Sequence, residues 1–142
     1  MRIVKKKAKK GMKLPKQKTL AQLKKDLTKV FNAFIRQRDS LPNGTFKCIS
    51  SGKVLPVSQM HAGHFHPAGS NSAIRWHEKN VNGQSIHDNY YKHGNPLGYQ
   101  KGIVEKYGME VLEELEMKRH QPYKPSRFDL EILISHYKQK LK

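Results

Sequence analysis

The sequence predicts an α+β domain that is mostly helical, with a small unit of two strands and a short helix packed among N-terminal and C-terminal helices. Three observations lead there. Apolar residues recur at three and four positions through 20–35. The middle, 45–95, breaks that rhythm with short β-prone runs between Gly, Pro, Ser and Asn residues. The last third returns to helical spacing. A chain of 142 residues with no internal repeat fits one domain.

The elements follow in order. Residues 1–18 read as a basic, flexible arm, since a run of like charges with few apolar groups buries too little surface to offset its ordering entropy. Residues 19–142 read as the single domain. Thr19 and Gln22 have the spacing of a capping box and open a helix over 19–38. Leu20, Leu23, Leu27, Val30, Phe31, Phe34 and Ile35 share its inner face, and Asp39 to Gly44 break it. Phe46 to Ile49 reads as a short strand and Val57 to Phe65 as a second, with Gly63 marking a bulge or a close approach. Ile74 to Trp76 reads as the returning partner strand, and 84–92 as a short helix stopped by Gly94, Asn95 and Pro96. Helices are expected over 97–107, 109–119 and 127–141. Val111, Leu112 and Leu115 are the inner face of the second; Ile132, Leu133 and Tyr137 are that of the third.

Charge narrows the function. Lys and Arg total 28 against 11 Asp and Glu, a net +17, which calls for an anionic partner: nucleic acid first, an anionic membrane surface second. Eleven of the basic groups precede the first acid, Asp26. The arm therefore reads either as a phosphate clamp or as a solubilising tail. No apolar run is long enough for a transmembrane helix, and no apolar segment follows the basic start as in a secretory signal. A lone cysteine, Cys48, cannot form an internal disulfide, which fits the cytoplasm.

Six of the eight histidines, His61, His64, His66, His77, His87 and His93, fall in one 33-residue window with Asn80, Asn82, Asp88 and Asn89. Any one of them reads as an exposed polar side chain. Together they suggest a site, because imidazole serves both as general base at neutral pH and as metal ligand. A hairpin followed by a helix can bring His64, Asn80 and Asn89 to one point. There a histidine would activate water while a divalent ion steadies the charge on a phosphate.

These residues also carry a resemblance. Ala62-Gly63-His64-Phe65, then Trp76 to Val81, then Asp88-Asn89 resemble the ββα-metal finger of HNH nucleases. More narrowly, Val30 to Asp39, Cys48 to Gly52, Arg75 to Asn80 and Gly94-Asn95 are similar in order to the NinG (Rap) family of phage recombination proteins. The resemblance implies a metal-dependent endonuclease that cuts branched DNA such as D-loops and Holliday-type junctions, in the cytoplasm of a bacterial host. His64 would be the general base, Asn80 would orient it through a hydrogen bond, and Asn89 would bind one divalent ion, Mg²⁺ or Mn²⁺. Two strands to cut imply a homodimer by analogy. The expected partner is branched DNA, with no membrane and no small-molecule cofactor. Phosphate contacts would come from Lys5, Lys6, Lys7, Lys9 and Lys10 in the arm and from Arg36, Arg38, Arg75, Lys92 and Arg119 in the domain.

The chain also departs from the family. An acid that NinG-like sequences can carry three residues before the base is here His61, which becomes the expected second metal ligand, with His66 in reserve. Two Cys-x-x-Cys pairs that hold a structural zinc in the family read here as Cys48/Ser51 and Ser85/Asp88. That zinc is expected to be lost, since such sites use four Cys or His donors. Packing of Phe46, Ile49, Val57, Phe65, Ile74, Trp76 and Ile86 would then hold the finger, with Cys48 as a small buried residue. The lost cysteines leave open a non-catalytic DNA-binding protein with a decayed site. The charge alone also allows an RNA- or ribosome-associated protein.

Overall fold

The computed structural model describes residues 16–142. The arm lysines 5, 6, 7, 9 and 10 lie outside the described residues, as does most of the expected arm. Helix α1 spans Leu20–Asp39 and opens with the capping box read from the sequence: Gln22 N–H donates to Thr19 Oγ1, and Thr19 N–H donates to Gln22 Oε1. Its buried stripe is Leu23, Leu27, Val30, Phe31 and Ile35. Each such side chain contributes about 2 kcal/mol of burial.

Strands β1 (Thr45–Lys47) and β2 (Val54–Pro56) pair antiparallel, Phe46 opposite Leu55. Strands β3 (Met60–His64) and β4 (Val81–Ser85) form a second antiparallel pair, with His61 opposite Gln84 and His64 opposite Val81. Helix α2 (Ile86–Tyr91) follows β4 directly, capped by Ser85 Oγ, which accepts the Asp88 N–H. Helices α3 (Pro96–Tyr107), α4 (Met109–Lys118) and α5 (Arg127–Lys140) complete the chain. The fold is mostly helical, with two small two-stranded antiparallel sheets packed among the helices.

Two expected strands are corrected. Ile74 ends a 3-10 turn over Ser72–Ile74, and β3 pairs instead with Val81–Ser85. The Val57–Phe65 strand divides into a 3-10 turn, Val57–Gln59, and β3. The cause is polar burial. Asn82, Gln84 and Ser85 are enclosed in β4, so the partner strand carries none of the apolar alternation that marks a half-buried strand. In α5 the inner face is Leu130, Ile134 and Tyr137, while Ile132 is half exposed. Val57 is exposed, contrary to its expected packing role.

Three apolar clusters hold the elements. Helices α1 and α5 pack through Leu27, Phe31, Ile35, Leu130, Ile134 and Tyr137, with Val81 reaching in from β4. Ile49, Ile74, Tyr99, Ile103, Val111 and Leu115 join α3 and α4 to the loops. Phe46, Cys48 and Met60 close the third. Helix α3 lies directly on the backbone of residues 49–50. A Cβ at Gly98 would collide with the Ser50 carbonyl, and one at Gly102 with the Ile49 carbonyl. Only glycine permits that approach.

Candidate functional site

His64 ends β3, half-buried. Its Nε2 lies 2.8 Å from the Arg75 carbonyl oxygen. A carbonyl only accepts, so Nε2 carries the proton and donates, and Nδ1 keeps its lone pair. Burial is the main influence on its acidity and lowers the imidazole pKa below its ordinary value of 6.5; the Arg75 charge acts in the same direction. The ring is thus a neutral imidazole at pH 7 with one free basic nitrogen, the state a general base needs.

Asn80 does not touch the His64 ring. It is fully buried, and its side chain ties the backbone of the preceding loop, between β3 and β4. Oδ1 accepts the His66 N–H at 2.9 Å, while Nδ2 donates to the His66 carbonyl at 3.1 Å and to the Ile74 carbonyl at 3.2 Å. Ile74 immediately precedes Arg75, whose carbonyl holds His64. The expected direct hydrogen bond is corrected to an indirect one: Asn80 sets the loop, and the loop sets the histidine. A four-atom amide can span two backbone strands in this way but cannot also reach the ring.

His61 and Asn89 do meet, Nδ1 to Nδ2 at 3.1 Å, and this contact joins β3 to α2. No hydrogen bond links either of them to His64. Turning the Asn89 amide would present Oδ1 beside the imidazole, so one cation could take an oxygen and a nitrogen donor here. Among the described residues no group of three or more His, Cys, Asp or Glu side chains is arranged to hold a metal ion. A cation held by this pair would have to complete its shell with donors such as phosphate oxygens and water. His66, the reserve ligand, instead faces Glu116 of α4 at 3.9 Å.

Tyr99 was not singled out in the sequence. Its ring is fully buried, and its hydroxyl donates to the Gly63 carbonyl at 2.6 Å and accepts from Asn82 Nδ2 at 3.3 Å. Burial drives its pKa far up, so it stays a neutral donor. It anchors the residue just before His64 to α3. Gly63 itself is pressed against Gln84, whose side chain a Cβ would strike. Tyr99 and Ile103 at helical spacing mark a core face; nothing in the sequence marks the hydroxyl's partner.

The segment that the family resemblance assigns to structural zinc is a hydrogen-bonded cluster here. Cys48 Sγ accepts from Ser85 N–H at 3.2 Å and from Ser51 N–H at 3.4 Å, and lies 3.5 Å from Ser50 Oγ. Ser50 Oγ donates to Asp88 Oδ2 at 2.7 Å, which also accepts from Asn95 Nδ2 at 2.9 Å. Gln84 Nε2 donates to Ser50 Oγ at 2.9 Å. Burial raises the Cys48 pKa, yet the surrounding hydrogen bonds outweigh it and leave the thiol below its ordinary value. One sulfur and one carboxylate already held by two donors do not make a four-coordinate zinc set. Ser50 and Asn95 escape a search for metal spacing, because they are neither ligands nor charged.

Of the expected phosphate contacts, Arg36 and Lys92 are exposed. Arg75 lies over the Trp76 ring at 5.0 Å. Two are engaged within the protein. The Arg38 guanidinium holds Asp39 at 2.7 Å and the carbonyls of Glu78 and Val81, while Asp39 accepts the Gly83 N–H. This clamps the end of α1 to β4. Arg119 pairs with Glu116 at 2.7 Å and reaches Asn71 at 3.2 Å. Among the described residues no helix is long and apolar enough to cross a membrane.

Comparison with known proteins bears on this geometry. A family model described as "NinG: Bacteriophage Lambda NinG protein" matches residues 2–142. Protein ninG of Escherichia phage lambda is 32% identical over 119 residues, 83% of this chain and 55% of its own length. Protein ninG of Salmonella phage P22 is 32% identical with the same coverage. Protein ninG of Enterobacteria phage H19B is 34% identical over 98 residues, 68% of this chain and 46% of its own length. The chain spans about half the length of the curated relatives it matches. No solved structure matches it.

Proposed function

The chain belongs to the bacteriophage NinG family, and from that premise we propose that it is a structure-selective, metal-dependent DNA endonuclease acting on branched recombination intermediates. The observation that carries this reading is the His64 ring: its Nε2 proton is committed to the Arg75 carbonyl, and Nδ1 is left basic. Strand β3, strand β4 and helix α2 are read as the ββα finger, with His64 and the His61–Asn89 pair as its working groups.

In the mechanism, Nδ1 of His64 takes a proton from water as the water oxygen bonds to the phosphorus. The bond from phosphorus to the leaving sugar oxygen breaks, and that oxygen takes a proton from solvent water. The ring becomes imidazolium while Nε2 keeps its proton and donates it to the Arg75 carbonyl, a hydrogen bond that stabilises the charged form. Asn80 and Tyr99 hold the loop and the strand on either side of that ring. His61 and Asn89 would hold the divalent ion, which when bound supplies a positive charge against the phosphate. Arg36, Lys92 and the arm lysines bind backbone phosphates without reading sequence. The Cys48 cluster, with one thiol and a carboxylate already held by two donors, would hold this part of the fold without the structural zinc that the resemblance implies for the family.

The deciding experiment incubates the full-length protein with an end-labelled four-way junction and Mg²⁺ or Mn²⁺. Cleavage that is lost in His64→Ala while junction binding persists supports the reading; undiminished cleavage by that variant removes His64 as the base. The lack of a carboxylate in the His61–Asn89 pair favours one second reading, a recombination protein that binds junctions without cutting. That reading gains if the native chain binds and no divalent ion elicits scission.

A further inference from the structure

Two large aromatic side chains beside the proposed site take no part in the fold. Tyr90 and Tyr91, consecutive at the end of α2, are 71% and 75% exposed. Among the described residues neither belongs to an apolar cluster, and neither hydroxyl makes a hydrogen bond. Tyrosine rings are expensive to leave in water, so their exposure asks for a partner.

Their arrangement indicates which partner. The rings form a row. His61 and Tyr90 centroids lie 6.1 Å apart, Tyr90 and Tyr91 6.2 Å, and Tyr91 and His87 5.8 Å. The row starts at His61, whose Nδ1 meets Asn89. Its surroundings favour an anion. Lys92, His87 and His93 are exposed, whereas the nearest acid in sequence, Asp88, is buried: its Oδ2 is held by Ser50 and Asn95, and its Oδ1 lies 3.6 Å from His87 Nδ1. An aromatic surface set among cationic and neutral groups fits a ligand that is planar, aromatic and attached to phosphates.

We propose that Tyr90 and Tyr91 are a stacking platform for unpaired bases of DNA, seated next to the His61–Asn89 pair. This deepens the nuclease reading and rests on it for its place in catalysis. Bases inside a duplex are stacked on their neighbours and offer no free face. At a branch point or a single-stranded gap they do, and each accepts an aromatic ring regardless of sequence. The platform would therefore prefer DNA with unpaired bases over continuous duplex, and it would place the phosphate beside the stacked base near the metal ligands.

The test measures binding by fluorescence anisotropy, with the full-length protein in EDTA so that cleavage plays no part. The probes are a fluorescein-labelled 20-nucleotide oligo(dT) and a labelled blunt duplex of 20 base pairs. Tyr90→Leu/Tyr91→Leu should weaken oligo(dT) binding about tenfold or more and leave duplex binding within about twofold. Tyr90→Phe/Tyr91→Phe, which keeps the rings, should retain oligo(dT) binding. Equal loss on both probes, or no loss on oligo(dT), overturns the proposal. So does a change of oligomeric state in the leucine variant with unchanged oligo(dT) binding, which would mark the face as a protein contact. Thermal melting of each variant checks that these exposed substitutions leave the fold intact. The two readings fail separately. Absence of cleavage in the native chain with a selective loss of oligo(dT) binding defeats the nuclease and keeps the platform. Junction cleavage with no effect of the leucine pair does the reverse.

Discussion

His61 Nδ1 and Asn89 Nδ2 lie 3.1 Å apart, so a strand and a helix bring an imidazole and an amide to the same small volume. Where NinG-like sequences can carry an acid, this chain contributes imidazole. The exchange removes a negative charge and replaces a hard oxygen with a softer nitrogen.

The metal preference should follow. Mg²⁺ favours oxygen donors, whereas imidazole suits later divalent ions. Junction cleavage by the native chain should therefore be faster with Mn²⁺ than with Mg²⁺ at equal concentration. His61→Asp should narrow that ratio by about tenfold. A Mn²⁺-to-Mg²⁺ rate ratio that does not change on this substitution would show that His61 is not a ligand.

Stability should fall in mild acid. His64, His66 and His77 all have pKa values lowered from 6.5, mainly by burial, so the folded chain resists protons that the unfolded chain accepts. Their neutral forms favour folding above pH 6.5, and this contribution is lost as pH drops below it. The melting temperature should be flat from pH 8 to 7 and decline by pH 5.5. His64→Asn, which cannot take up the proton, should show a shallower decline. The acid limb of the cleavage rate should lie below pH 6.5 for the same reason.

Asn80→Ala should be costly far beyond its size. It leaves the His66 N–H, the His66 carbonyl and the Ile74 carbonyl without their partner in a buried place. The cost should be about 3 kcal/mol in urea unfolding. Cleavage should fall as well, because the Arg75 carbonyl that orients His64 follows Ile74. A variant that unfolds like the native chain would show that the amide does not hold the loop.

The Cys48 cluster should make the fold indifferent to chelators. Purified native protein should melt at the same temperature with and without EDTA. Asp88→Ala removes one buried acceptor shared by Ser50 Oγ and Asn95 Nδ2 and should cost about 2 kcal/mol. Ser51→Cys/Ser85→Cys/Asp88→Cys, which with Cys48 makes four thiols, should bind one zinc and become sensitive to EDTA. A native chain that loses stability in EDTA would overturn the metal-free assignment.

The helices were legible because each is written in local terms: Thr19 with Gln22, Ser126 with Asp129, and apolar residues at helical spacing. Strand β4 was not. Asn82 and Gln84 are fully buried polar residues whose partners come from elsewhere in the chain: Arg38, Lys106 and Tyr107 for the one, Ser50 and Gly94 for the other. No pattern within β4 announces them. The site divides the same way. His61, His64 and Asn89 could be chosen by residue type. The roles of Arg75 and Tyr99 could not, because a backbone carbonyl and a long-range hydroxyl leave no mark in composition. The ion pairs of Arg38 with Asp39 and of Arg119 with Glu116 were equally illegible, since a guanidinium serves a carboxylate of the same chain as readily as a phosphate.

The bare glycines of α3 bear on the order of folding. Gly98 and Gly102 seat the helix on the backbone of Ile49 and Ser50, and Asn95 reaches Ser50 across 45 residues of chain. Strands β3 and β4 and helix α2 all lie inside that span. Contacts so distant in sequence close slowly, because the loop entropy is lost before they form. The seat of α3 therefore closes over a hairpin whose own strand pairs are nearer in sequence, and a nascent chain released before residue 102 would carry the chemistry without the frame that aims it.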